Sequence, residues 1–310
     1  MSRRIRWTLA GAGISGLVLT SGLFVTAGAH PLADPPPPTP SPVASTSPAP
    51  HTTSASSTPA TTTPAAPPPG PDEMAAAITD AVKAASPGAQ AGFVIRDRDT
   101  GRTLAASGAD QAYYTASVVK LLIALDVVHT GGWHVPDAAT AADLTSMLAG
   151  SDDAVASQLW EDDGGSDIVT RMAELIGLTA TTPAEDPGQW GMARMSPDDV
   201  VRVYDYLEDS VPRDVAQPVL TALAGARATA DDGYPQYFGI PDGLPGSSWL
   251  VKQGWMILDS SLVLNTTGIV DGRYVVALLT EQPAGTADAT ARAAVTAGIA
   301  AAAPVFTVAG

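Results

Sequence analysis

The stretch Tyr114-Thr115-Ala116-Ser117-Val118-Val119-Lys120-Leu121-Leu122-Ile123-Ala124-Leu125 holds the most informative residues of the chain. Ser117 and Lys120 are three positions apart, which brings a hydroxyl and an amine onto one face of a helix. The apolar residues after Lys120 predict a helix over 117–129 that is buried on most sides. Burial penalises the charged form of a lysine, so it favours a base that can take a proton from the neighbouring serine.

Two structural explanations also fit this pair. Lys120 could extend from the helix edge into solvent, and Ser117 could be no more than a helix cap. A serine three residues before a lysine is common by chance, so the pair alone leaves both interpretations open.

Two further polar groups stand at the edges of predicted elements. Ser151-Asp152-Asp153 precedes a predicted helix, where such residues are ordinarily an N-cap with acidic first-turn positions. Lys252-Gln253-Gly254 lies in an apolar strand, where a glycine often marks close approach by a ligand and a lysine suits a ligand carboxylate. The alternative for Lys252 is a strand-edge lysine that blocks pairing with another chain.

The lysine count supports the chemical interpretation. Only three of the 16 basic residues are lysines, and two of these, Lys120 and Lys252, stand in the motifs above. Arginine does not lose its proton in proteins and cannot replace lysine as a base. A chain that otherwise uses arginine therefore keeps lysine where a base is useful.

Hydrophobic periodicity gives the order helix, two strands, several helices, three strands, helix. Strands from both ends can combine into one antiparallel sheet flanked by helices, with the central helices as an inserted lobe, which is an α+β fold. Besides 117–129, the predicted helices are 72–85, 138–149, 152–160, 166–176, 197–208, 214–225 and 286–302, and the predicted strands are 91–96, 102–106, 248–253, 259–269 and 273–280.

In combination, the three motifs resemble a known signature. An SxxK group at Ser117, an SDD triplet at Ser151 and a KQG triplet at Lys252 follow the order found in class A β-lactamases and their D,D-peptidase relatives. The hairpin over 93–106 and the strand over 266–270 also look like parts of that family. The resemblance covers most of 72–310 and implies a β-lactamase/transpeptidase-like fold with a serine acyl-transfer mechanism.

The resemblance also implies roles for individual residues. Ser117 would attack a β-lactam or peptide carbonyl with Lys120 as general base, and Ser151 would pass a proton to the leaving nitrogen. Lys252 would lower the pKa of Ser151 and attract the substrate carboxylate. The backbone amides of Ser117 and Trp255 would form the oxyanion hole.

Two motif positions depart from the family pattern. Asp153 stands where the family has an asparagine that holds the substrate amide, so an amide donor is lost. Gln253, beside Gly254 in the predicted substrate-binding strand, replaces a threonine or serine, so a hydroxyl is lost. A protein that keeps the fold without catalysis would also tolerate these changes.

Other parts of the family's site are short or missing. The segment 181–195 is too short for a full omega loop, and within it only Glu185 could activate a deacylating water; the alternative is a solvated loop carboxylate. The strand 259–269 carries no arginine for a substrate carboxylate, and Arg227 and Arg273 lie elsewhere in the sequence.

The first 71 residues have the composition of an export and spacer region. Basic residues, an apolar run and a small-residue site predict an export signal peptide over 1–29, with an uncleaved anchor as the alternative. A Pro/Ser/Thr-rich disordered linker follows over 30–71, before one β-lactamase-like serine hydrolase domain over 72–310. We therefore expect a secreted or extracytoplasmic protein associated with the cell envelope.

Overall composition narrows the partners. The formal net charge of −16 argues against nucleic acid, and the absence of cysteine excludes disulfides and thiolate metal sites. We expect a monomer without metal or cofactor that acts on a β-lactam or a small peptidoglycan peptide, with the cell wall as a further partner. The hypotheses are a β-lactamase-like enzyme, a D,D-peptidase-type penicillin-binding protein, or a non-catalytic envelope scaffold.

Overall fold

The computed structural model describes residues 69–307. The predicted export signal over 1–29 lies outside the described residues, as does the predicted linker up to residue 68. The first helix begins at Pro71, where a proline is tolerated because the first helical N–H needs no partner within the helix.

The predicted central sheet is present, with strands from both ends of the domain. In chain order the strands are β1 Gln90–Asp97, β2 Arg102–Ser107, β3 Tyr113–Tyr114, β4 Arg194–Met195, β5 Trp249–Ile257, β6 Ser261–Val270 and β7 Tyr274–Pro283. Five of them form one antiparallel sheet in the order β2-β1-β7-β6-β5. The predicted α+β class is confirmed, and β5 is an edge strand.

Helices cover both faces of this sheet. In chain order the helices of the described residues are α1 Pro71–Ala85, α2 Lys120–Thr130, α3 Ala138–Ala149, α4 Asp153–Asp162, α5 Asp167–Ile176, α6 Pro197–Asp209, α7 Arg213–Ala224, α8 Ile240–Gly243, α9 Asp288–Ala301 and α10 Ala303–Thr307. Side chains of a strand alternate between faces, so Phe93 and Ile95 pack with α1 and α9, whereas Val94 packs with the helices of the inserted lobe.

The C-terminal helical run is apolar along its length. Asp288–Phe306 is long and apolar enough to cross a membrane by length and composition alone. In the structure α9 packs against α1, and Gly298 lies so close to Val82 that an added Cβ would come within 2.7 Å of it. This packing gives the run a role in the core of the domain.

Two local features differ from the prediction. The expected helix over 117–129 begins as a 3-10 turn, Ala116–Val119, before α2 continues it. The two-residue strands β3 and β4 pair through Tyr113 and Met195, and they were not predicted because two residues show no periodicity. This small ribbon fixes the chain immediately before Ser117.

A buried ion pair ties α2 to α5. Asp126 on α2 has no exposed surface, and it accepts two hydrogen bonds of 2.7 Å from Arg171 on α5. The paired geometry holds the helix that begins at Lys120 against the rest of the lobe.

Candidate active site

Ser117 lies at a strained turn between β3 and α2. The preceding residue, Ala116, has a φ of 46°, a left-handed conformation that is costly for a residue with a Cβ. Ser117 itself is only 6% exposed, and among the described residues its hydroxyl makes no hydrogen bond. A free hydroxyl on a strained turn has the local geometry expected of a nucleophile.

Asn265 holds this turn in place from β6. Its side-chain amide donates to the carbonyls of Tyr114 at 2.9 Å and Thr115 at 3.1 Å, and its oxygen accepts from the Thr280 amide at 3.0 Å. Asn265 is completely buried, so every polar atom of its side chain must be satisfied by the protein. The side chain links the sheet directly to the backbone before Ser117.

Gly254 on β5 makes the second contact between the sheet and this turn. A Cβ at this position would come within 2.5 Å of the Thr115 carbonyl oxygen and 3.2 Å of Val118. The sequence suggested that a ligand approaches this glycine. In the structure the backbone of the serine turn occupies that space.

We expect Gly254→Ala to lower the free energy of unfolding by about 1–3 kcal/mol, because the extra methyl overpacks a closed contact. It should also displace the Ser117 turn and slow any reaction of Ser117 more than its stability loss explains. Chemical denaturation combined with adduct formation measures both effects. Gly188→Ala, in an exposed loop with its nearest neighbour at 3.4 Å, is the matched control; equal behaviour of the two variants would contradict the expected role of the contact.

Lys120 begins α2 one turn after Ser117 and has no exposed surface. Its amine donates to the Ser151 carbonyl at 2.7 Å, to the Ser151 hydroxyl at 3.2 Å and to Asp153 Oδ1 at 2.5 Å. An ammonium has three N–H donors, and all three are engaged here. The interpretation of Lys120 as a lysine that reaches solvent from the helix edge is therefore wrong, and among the described hydrogen bonds none joins it to the Ser117 hydroxyl.

Ser151 lies between two lysine side chains. Its hydroxyl oxygen is 3.2 Å from the Lys120 amine and 3.0 Å from the Lys252 amine, and Ser151 is 5% exposed. Its backbone also has a positive φ of 54°. Asp152, rather than Ser151, caps α4 by accepting from the amides of Ala154 and Val155. The N-cap interpretation of the triplet therefore holds for its second residue, and the first and third are turned toward Lys120.

Lys252 approaches Ser151 from β5. It is 1% exposed and also donates to the Gln253 carbonyl at 3.1 Å, so it does not protect an exposed strand edge. Burial lowers the pKa of Lys252 well below its ordinary value, and the charge of Lys120 lowers it further. No carboxylate contacts this amine among the described residues, so Lys252 loses its proton more readily than Lys120.

Asp153 is the counter-ion of Lys120. Burial lowers the pKa of Lys120, while nearby carboxylates, with Asp153 first among them, oppose that shift. The Asp153 side chain is 46% exposed, so the ion pair joins a fully buried amine to a carboxylate that faces solvent. In this arrangement Asp153 favours the ammonium form of Lys120.

Gln253 does not face open solvent as a substrate-binding side chain would. It is 1% exposed, and its amide donates to the carbonyls of Gln236 at 3.0 Å and Phe238 at 2.7 Å. Gln236 in turn donates to the Ala149 carbonyl at 2.9 Å, two residues before Ser151. The two glutamines therefore brace β5, the loop 226–238 and the loop that carries Ser151.

Trp255 and its neighbours form the surface of β5 beyond Gly254. The Trp255 ring stacks on Tyr234 with centroids 4.6 Å apart, and its Nε1 donates to Asp232 at 3.0 Å. Asp232 is exposed and acts electrostatically on both Lys120 and Lys252. The surface formed by Trp255, Tyr234 and Asp232 is therefore aromatic and acidic.

Among the described hydrogen bonds and ion pairs, none joins Glu185 to the other predicted site residues. Glu185 is exposed, whereas Trp190 on the same segment is 6% exposed and has its ring centroid 4.9 Å from the Lys120 amine. The two arginines considered for a carboxylate each pair with an aspartate, although the Arg227 guanidinium lies against Gly150, next to Ser151. Arg273 pairs with Asp97, and Arg227 pairs with Asp231.

Sequence reasoning missed several residues of this site. Asn265, Gln236, Trp190 and Asp232 lie far from the motifs in sequence and reach them only through the fold. One signal in the sequence was the asparagine in the middle of the predicted strand 259–269. In the structure every residue of this strand, β6, is buried. A buried polar residue among apolar neighbours indicates a specific hydrogen-bonding task.

Known proteins are similar to this chain in sequence and in fold. Residues 73–131 match the profile described as the beta-lactamase enzyme family. Two proteins named "Putative lipoprotein LppW", from Mycobacterium tuberculosis and Mycobacterium bovis, are 40% identical over 222 residues, which is 69% of this chain and 69% of each relative.

Solved structures extend the likeness to the whole fold. A beta lactamase from Burkholderia vietnamiensis matches with a TM-score of 0.63 at 19% identity, covering 77% of this chain and 98% of that chain. A variant of PBP-A, described as an acyl-enzyme complex with penicillin G, matches with a TM-score of 0.59 at 18% identity, covering 77% and 98% respectively. The chain belongs to the same family as the mycobacterial LppW proteins, and its domain has the β-lactamase fold.

Proposed function

We propose that the protein is an active-site-serine hydrolase that forms an acyl-enzyme at Ser117 with β-lactams or D-alanyl peptides. The observation that carries the proposal is the Ser151 hydroxyl held between the buried amines of Lys120 and Lys252. Burying two lysines costs several kcal/mol each, which is roughly the scale of a whole domain's stability. A chemical role for the two amines accounts for that cost.

The reaction would proceed by acyl transfer. Ser117 Oγ attacks the carbonyl carbon while its proton passes to a neutral Lys120, and the backbone amides of Ser117 and Trp255 stabilise the oxyanion. When the carbonyl reforms, the bond to the leaving nitrogen breaks and Ser151 supplies the proton to that nitrogen, while Lys120 passes the proton it took from Ser117 to Ser151. Water then hydrolyses the ester and restores the Ser117 hydroxyl.

A non-catalytic envelope scaffold is the second candidate. Three observations favour it: Asp153 engages Lys120, Gln253 is used as a structural brace, and β6 carries no arginine for a substrate carboxylate. A scaffold would keep the fold and its hydrogen bonds without reacting at Ser117. Direct reaction with a penicillin separates the two candidates.

Intact-mass spectrometry over time after mixing with benzylpenicillin distinguishes the hypotheses. A transient adduct with product release supports β-lactamase turnover, and a persistent adduct supports a D,D-peptidase-type protein. Lack of any adduct on the wild-type chain supports the scaffold and overturns the proposal.

Glu185 stays the sequence-based candidate for activating the deacylating water. If it has this role, Glu185→Gln should keep acylation and slow adduct loss at least about a hundredfold, the lower end of the range for a general base. Its exposure predicts instead that adduct loss will be unchanged within about twofold, because a surface carboxylate without contacts contributes little to an acyl-enzyme. Asp186→Asn, at the adjacent exposed position, is the matched control.

The proposed function also requires the domain to lie where its substrates are. We propose that the export signal and the proline-rich linker hold the domain outside the cytoplasm near the cell wall. The lipoprotein name of the LppW relatives supports association with the envelope. The printed 310 residues contain no cysteine, so attachment of a lipid to cysteine is not available within them.

A further inference from the structure

Asp153 presents an oxygen that can only accept a hydrogen bond. Its Oδ1 is committed to Lys120 at 2.5 Å, and among the described residues Oδ2 has no hydrogen-bond partner. The side chain is 46% exposed. An ionised carboxylate carries no donor, so a substrate group that meets Oδ2 must supply the N–H.

Asp153 borders one particular side of the reaction centre. Ser151 lies between the two lysine amines, and Asp153 contacts only the Lys120 amine, on the helical-lobe side. In the proposed reaction the leaving nitrogen takes its proton from Ser151, and Lys252 supports Ser151 from the β5 side. Asp153 therefore borders the helical-lobe side of the reaction centre.

The charges around this position also favour a cation. Both lysines are buried and hydrogen-bonded, so neither offers an exposed positive charge. Asp232 is exposed on the β5 side and acts electrostatically on both amines. Arg227 lies against Gly150 and is half exposed, but its positive charge is balanced by Asp231 at 2.7 Å. The accessible charges that the described residues place around the lysines are therefore predominantly negative, which attracts positively charged substrates.

We propose that the acyl side chain of the substrate lies on this helical-lobe side and that Asp153 recognises an amino group on it. An ammonium that binds Oδ2 neutralises the carboxylate and weakens its hold on the Lys120 ammonium. Lys120 can then release a proton and accept the one from Ser117. This inference rests on the proposed acyl-enzyme and assigns its substrate class: amino-bearing acyl donors.

Two penicillins that differ at this position provide the test. Ampicillin carries an α-amino group on its acyl side chain and benzylpenicillin lacks it, while the ring and its carboxylate are the same. An α-amino group is largely protonated at about pH 6.5. Initial rates of adduct formation are measured by intact mass at equal concentrations for wild type, Asp153→Asn and Asp232→Asn. Asp232→Asn removes one charge near the site without touching Lys120.

We expect wild type to react about tenfold faster with ampicillin, the value of one charge-assisted hydrogen bond. Asp153→Asn should lose this preference, and Asp232→Asn should keep it. The inference is overturned if wild type forms adducts with the two penicillins at equal rates, or if Asp153→Asn keeps the preference for ampicillin. The proposed acyl-enzyme stands in either case. If no protein forms an adduct with either penicillin, the proposed function fails and the inference fails with it.

Discussion

The Asp153→Asn variant is expected to react with benzylpenicillin about tenfold faster than wild type at neutral pH, because loss of the Asp153 charge removes an ion pair that favours the ammonium form of Lys120 and raises its pKa. Asparagine keeps an oxygen that accepts from Lys120 but carries no charge. In wild type all three donors of the Lys120 ammonium are engaged, and this form must lose a proton before the amine can accept the one from Ser117.

The pH dependence has a definite sign. Acylation requires neutral Lys120, so its rate rises as the pH passes through the pKa of Lys120. Burial lowers that pKa and the Asp153 carboxylate raises it, so replacing the carboxylate lowers the pKa. The rising limb of the rate profile should therefore move to lower pH in Asp153→Asn.

Adduct formation measured by intact mass across the pH range checks this expectation. Asp80→Asn removes one charge on the exposed face of α1 and should give the wild-type profile. A profile of Asp153→Asn that matches wild type, or that moves to higher pH, contradicts the assignment of Lys120 as the base. Thermal unfolding of each variant separates a kinetic change from loss of fold.

The Arg171→Leu variant is expected to lose about 3 kcal/mol of unfolding free energy. Asp126 has no exposed surface, and Arg171 supplies both of its side-chain ion-pair hydrogen bonds. Removal of the guanidinium leaves a buried carboxylate without its counter-ion. Chemical denaturation measures the loss.

A second variant shows whether the cost comes from the unpaired charge. The double variant Asp126→Leu/Arg171→Leu should recover most of the stability, because two apolar side chains need no counter-ion. Arg202→Leu, whose ion pair with Asp198 is exposed on both sides, should lose less than about 1 kcal/mol. Equal losses for Arg171→Leu and Arg202→Leu contradict the importance of the buried pair.

The main strands of the sheet and the proximity of the three motifs could be predicted from the sequence. Hydrophobic periodicity identified the five main strands, and the apolar run after Lys120 predicted the burial of that lysine. Both predictions were possible because the spacing of apolar residues along the sequence reflects which side of an element is buried. Ser151, Lys120 and Lys252 are brought within hydrogen-bonding distance by the fold that the resemblance implied.

The other features of the site could not be predicted, because they depend on contacts between residues that are far apart in the sequence. Gly254 is small because the Thr115 carbonyl approaches it from a segment far along the chain. Asn265 and Asp232 acquire their roles only when β6 and the loop 226–238 meet the motifs. The partner of Lys120 was also beyond prediction, because Asp153 could have capped α4, whereas Asp152 caps it.

The central claim is that Ser117 is the nucleophile, and peptide mapping of the protein after reaction with benzylpenicillin tests it most directly. The account predicts one penicilloyl group on the peptide that contains Ser117, with no adduct on Ser117→Ala. An adduct that maps to any other residue, or one that Ser117→Ala still acquires at the wild-type rate, contradicts the account.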